Sequence, residues 1–125
     1  AKAVEMQLYE PLIVHGLLQT PDYTRTLLMM RRPAYTEAEV ERFFAARMSR
    51  KSVFERESAP ELGFVLEEWT LRRPIGGRAL LRRQLEHLLE VAQLRHVELQ
   101  VMPMNREEHA GVDGSIELLK FKDGW

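Results

Sequence analysis

Residues 62–102 read LGFVLEEWTLRRPIGGRALLRRQLEHLLEVAQLRHVELQVM. Leu62 to Leu66 is a short apolar run of strand length, closed by the Glu67-Glu68 pair. Glu67 to Arg73 reads as a helical turn that Pro74 stops, and Gly76-Gly77 breaks the chain again. Residues 78–94 carry a helical stripe of Leu81, Leu85, Leu88 and Ala92, with Arg82 and Glu86 paired at i,i+4 on the outside. Val97, Leu99 and Val101 then alternate with Glu98, Gln100 and Met102, and Pro103 ends the run. Strand, crossover helix and strand in this order predict a parallel, right-handed pair.

The flanking segments extend that unit. Val4, Met6 and Leu8 alternate with polar neighbours, predicting a strand near 4–9 that Pro11 terminates. Thr20-Pro21-Asp22 starts a helix: Thr20 caps, Pro21 fits the first helical position, and Asp22 faces the positive end of the dipole. That helix, near 21–31, places Tyr23, Leu27 and Met30 on one face, and Arg31-Arg32-Pro33 closes it. Thr36 and Glu39 form a capping box opening a helix near 36–57, whose stripe is Val40, Phe43, Phe44, Met48 and Phe54. Such a stripe is core in the plain reading and a partner-binding face in the sharper one. Near 115–121, Ile116 and Leu118 oppose Leu119 and Phe121, predicting a strand buried on both faces. The predicted class is α/β in the mixed α+β sense. A small mixed sheet of strands near 4–9, 62–67, 97–102 and 115–121 packs with helices near 21–31, 36–57, 67–73 and 78–94.

A chain of 125 residues and 14.6 kDa is one domain by size. Its formal net charge of −1 makes no electrostatic case for nucleic acid or an anionic membrane. It has no cysteine, which removes disulfides, thiolate metal sites and cysteine nucleophiles, and fits a cytoplasmic setting. No apolar run approaches the roughly 18–20 residues of a membrane span. The first residue is Ala1, and Asp123-Gly124 after an apolar run is a hairpin-turn signal with no strand following. The expectation is a single regulatory or sensor domain, residues 1–125, that is a fragment of a longer protein.

Candidate chemistry gathers at the carboxyl edge expected for the parallel strands. Glu67, Glu68 and Trp69 follow one strand, and the loop with His109 and Asp113 follows the next. Open α/β sheets place ligands at that edge, so these five residues form the candidate ligand or partner site. The plainer account is a carboxylate pair at a helix start and a solvated loop. Arg72, Arg73 and Arg78 flank Gly76-Gly77 at a helix start and are a candidate anion site; the plainer account is a solvated basic face. His15, His87 and His96 stand singly, and no metal set is expected. No G-x-S-x-G elbow and no phosphate-cradling G-x-x-x-x-G-K is present.

The stretch Gly16-Leu17-Leu18-Gln19-Thr20-Pro21-Asp22-Tyr23, with Val65-Leu66-Glu67-Glu68, Gln84-Leu85, the strand Val97 to Pro103 and the His109 loop, carries a family resemblance. In order and spacing these blocks resemble the C-terminal domain of unknown function that follows an Xre-type helix-turn-helix in many actinobacterial transcriptional regulators (Scr-like, antitoxin-like). His15 stands where that family usually has proline, which is expected to loosen the turn before the first helix.

The resemblance implies a non-catalytic regulatory domain, with no cofactor and no catalytic residues carried over. Its partner would be a small neighbouring protein or a small-molecule effector, with DNA bound only through a missing N-terminal domain. Two other classes stay open. One is a small metal-dependent hydrolase or nuclease using Glu68 and His109; the other is a dimerisation module, with the chain as a homodimer.

Overall fold

A computed structural model describes residues 2–105 and 114–125. Its strands are β1 (Glu5–Glu10), β2 (Glu61–Glu67), β3 (Val97–Met102) and β4 (Ile116–Lys120). Its helices are α1 (Pro21–Met30), α2 (Glu37–Arg50) and α3 (Arg78–Val91). Short 3-10 turns lie at Gly16–Leu18, Lys51–Glu55 and Glu68–Leu71. The class is mixed α+β, with an open four-stranded mixed sheet in the order β3-β2-β1-β4.

β2 and β3 run parallel with Phe64 opposite Leu99, as the strand–helix–strand reading of 62–102 requires. β1 is also parallel to β2, with Leu8 opposite Phe64, and antiparallel to β4. Both crossovers, β1 to β2 and β2 to β3, step the same way across the sheet. Crossovers of one hand stepping in one direction put their helices on one face. Accordingly Leu8, Leu62, Phe64 and Leu66 are buried beneath the helices with Leu18, Tyr23, Leu80 and Leu88. The opposite face keeps Gln7, Gln100 and Leu118 exposed.

The opening of α1 is the hub of the core. Leu18, Gln19, Tyr23 and Thr24 are fully buried. The Gln84 amide of α3 donates to Leu18 O at 2.8 Å and its oxygen accepts from Thr20 N at 2.8 Å. Gln19 donates to Val14 O at 2.8 Å and accepts from the Thr24 hydroxyl at 2.7 Å, while Lys51 Nζ donates to Gln19 O. Val14 N donates to the Tyr23 hydroxyl. Buried polar groups are tolerated here because each has a partner.

Several sequence expectations shift. The helix near 36–57 stops at Arg50 and tightens into the 3-10 turn, whose three-residue period brings Val53 into the core. The helix near 67–73 is only a 3-10 turn. α3 buries Leu80, Gln84, Leu88 and Val91, so its inward face is rotated from the expected Leu81, Leu85, Leu88 and Ala92. The rotation places the Gln84 carboxamide on the turn carbonyl and amide it satisfies. On α1, Thr24 and Leu28 take the inward positions and Met30 is exposed. Of the α2 stripe only Val40 is buried, because α2 packs on α1 and the 16–18 turn rather than on the sheet. Arg25 and Arg42 instead cover the Phe44 and Phe43 rings, at 4.1 and 5.0 Å. β4 is an edge strand with one face uncovered, so Ile116 and Leu118 stay exposed at 37% and 52%, against the expected burial on both faces. The Asp123-Gly124 turn does form, closed by paired backbone bonds between Phe121 and Gly124.

Candidate functional site

At the carboxyl edge, Glu67 and Glu68 diverge. Glu67 is buried and accepts the Tyr9 hydroxyl of β1 at 2.6 Å. Burial and that carboxylate together push the Tyr9 phenol well above its ordinary range. Glu68 turns to the other neighbour of β2, accepting Met104 N at 3.0 Å and Arg72 Nε at 2.8 Å. Those donors hold its carboxyl below the usual range. Glu68 therefore pins the chain just after β3. Trp69 is half-buried with Arg73 stacked over it at 4.9 Å. His109 and Asp113 lie outside the described residues, so the structure brings together only Glu67, Glu68 and Trp69 of the five.

The candidate arginines are divided as well. Arg72 is engaged by Glu68 and Arg73 by Trp69, while Arg78 is exposed at the start of α3. Gly77 caps that helix with no side-chain bond, at a φ of 103° that favours glycine. Among the described residues no group of three or more His, Asp or Glu side chains is placed to hold a metal ion.

On the helix-bearing face, between β1 and β4 on one side and the end of α2 with its 3-10 turn on the other, lies a groove of about 820 Å³. That falls in the range of small-molecule sites, roughly 300–1,000 Å³. Met6, Leu8, Ile13, Leu17 and Val53 give it apolar walls. Arg47, Arg50 and Arg56 line it from the helix side, Glu10 and Glu117 from the sheet side, and His15 from the turn before α1.

His15 is tied into the fold rather than loosening it. Its Nδ1 accepts Leu17 N at 3.1 Å, capping the 3-10 turn, and its ring meets Phe64 edge-on at 5.4 Å. That bond leaves the proton of the neutral imidazole on Nε2. Burial lowers the His15 pKa below its ordinary value, opposed by Glu10 and Glu117. Glu10 accepts Leu12 N at 2.8 Å and the Ser115 hydroxyl at 3.0 Å. Arg47, Arg50 and Arg56 have neither a carboxylate nor a hydrogen-bond acceptor among the described residues.

Sequence reasoning passed over this groove because its walls come from four separated segments. One signal was legible. Arg47 and Arg50 stand at i,i+3 with no acidic residue three or four positions from either, unlike Arg82 with Glu86.

The model of a family described as a domain of unknown function, DUF5753, matches residues 1–125. No curated protein and no solved structure matches the chain.

Proposed function

Taking as premise that the chain belongs to the DUF5753 family, whose function is unknown, we propose that it is a non-catalytic, ligand-receiving domain of a transcriptional regulator. The observation that carries this reading is the groove. It has the size and mixed lining of a small-molecule site, and two of its acid–base groups, His15 and Glu10, are engaged in holding the fold. His15 Nδ1 caps a turn by accepting Leu17 N, and Glu10 holds Leu12 N and the Ser115 hydroxyl, so both are used to fix local structure. The regulatory part rests on the sequence resemblance to domains that follow an Xre-type helix-turn-helix. In this proposal DNA is bound by a separate segment in the cytoplasm, and the domain passes on the occupancy of its groove by a small effector. A small neighbouring protein is the second expected partner.

The test uses the natural open reading frame that carries this domain and a reporter on its own promoter. The double variant Arg47→Gln/Arg50→Gln should change reporter output several-fold at unchanged protein level. Glu68→Ala, at the sheet edge, should leave it alone. Unchanged output in the arginine variant sinks the groove as the receiving site; the opposite pattern returns the function to the Glu67–Trp69 edge.

A further inference from the structure

We infer that the groove binds a small organic anion, with its carboxylate or phosphate group on Arg47, Arg50 and Arg56 and its apolar body on Met6, Leu8 and Ile13. This rests on the ligand-receiving reading and names the ligand class.

Other arginines of this surface are engaged either by carboxylates or, as with Arg31, Arg42 and Arg73, by aromatic rings. Arg25, Arg72, Arg82 and Arg83 each pair with a carboxylate. Among the described residues the three groove arginines have no such partner, although Arg47 and Arg56 are half-buried. Partly desolvating a charge without a partner is unfavourable, and an incoming anion relieves it. Guanidinium groups present planar donor forks that match carboxylate and phosphate oxygens.

The alternative account is that Arg47 and Arg50 answer the dipole at the end of α2, where they are the basic residues of the last turn. That dipole amounts to roughly half a negative charge. One arginine offsets it, and Arg56 lies beyond the helix. A net positive wall therefore remains.

The opposite wall limits the ligand. Glu117 and Glu10 stand on the sheet side, which repels an extended polyanion such as nucleic acid. A single anionic head on the arginine side, with an apolar body on the β1 floor, meets attraction without that repulsion.

The experiment compares four probes sharing one alkyl body: octanoate, octyl phosphate, octylammonium and octanol. Each is titrated into the chain by calorimetry, with methyl NMR of the methionines reporting location. Octanoate or octyl phosphate should bind saturably and shift the Met6 signal, and the tighter of the two assigns a carboxylate or a phosphate head. Octylammonium and octanol should bind at least tenfold more weakly. Arg47→Gln/Arg50→Gln should weaken the anionic probe at least tenfold, and Arg25→Gln, outside the groove, should not. The far-UV circular dichroism of each variant confirms folding, and Arg56→Gln serves in place of the double variant if that does not fold.

Octanol binding as well as the anions overturns the anion class but leaves the groove as a receiving site. Absence of saturable binding by both anions, or indifference to the arginine changes, overturns the inference. The reporter experiment separately decides the regulatory reading.

Discussion

Gln84 shows how much one side chain can hold. It is fully buried and joins α3 to both a carbonyl and an amide of the turn before α1. Removing it strands two backbone groups, each costing about 1–3 kcal/mol when buried without a partner. Gln84→Ala should therefore lower the unfolding free energy by about 2–5 kcal/mol in urea titration, far more than exposed Gln93→Ala. His15 makes a pH prediction. Its folded pKa lies below the ordinary 6.5, so as pH falls through that value the unfolded chain takes up the proton first. Stability is thus full above about pH 7 and falls toward pH 5, with burial opposing protonation and Glu10 and Glu117 favouring it. His15→Asn keeps an acceptor for Leu17 N and should lose less melting temperature between pH 7 and 5 than the parent. His87, shifted the same way, retains part of the dependence. Neither role was legible beforehand: a glutamine on a leucine-rich helix reads as surface, and His15 as a turn that had lost its proline.

Local chemistry set the start of helices more clearly than their ends or faces. The Thr36–Glu39 capping box forms in both directions, at 2.9 and 3.1 Å, as the spacing alone implied. Thr36→Ala should cost about 1 kcal/mol, read from the shift of the denaturation midpoint. The start of α3 depends on backbone freedom instead. Gly77, with its φ of 103°, has open space around it, so the penalty of Gly77→Ala comes from conformation, of order 1–3 kcal/mol, and not from a clash. Gly77→Asn should not recover it, because a φ of 103° with a ψ of 168° lies outside the left-handed helical region that asparagine tolerates. The end of α2 was not legible, because Val53 and Phe54 fit a continued stripe nearly as well as a 3-10 turn. Which face of α3 turns inward depended on a polar contact that hydrophobic periodicity cannot register.

The whole molecule was legible in outline from residues 62–102, since strand, helix and strand allow one parallel arrangement. The partners of β1 were not, because its register is decided by residues 61–67 and 116–120, far along the chain. The candidate site was legible only in part for a related reason. Glu67 and Glu68 are adjacent in sequence yet bond to opposite neighbours of β2, while the groove gathers groups from four segments. The uncovered sheet face bounds how mutations behave. Leu118 is 52% exposed on it, so Leu118→Lys should change stability by no more than about 0.5 kcal/mol in thermal unfolding. The same change raises solubility if the face drives self-association, a difference that light scattering reads directly.

β1 sits in the interior of the sheet although it is the first strand of the chain. Its parallel partner follows some fifty residues later and its antiparallel partner more than a hundred later. During synthesis β1 therefore emerges with both edges unsatisfied, and its last hydrogen bonds await β4. Pairings of such long range carry a large loop-closure cost before they gain anything, which places folding toward the millisecond-to-second regime of topologically non-local domains. The interval in which β1 stands unpaired is the period when the nascent protein is most exposed to aggregation or to capture by a chaperone.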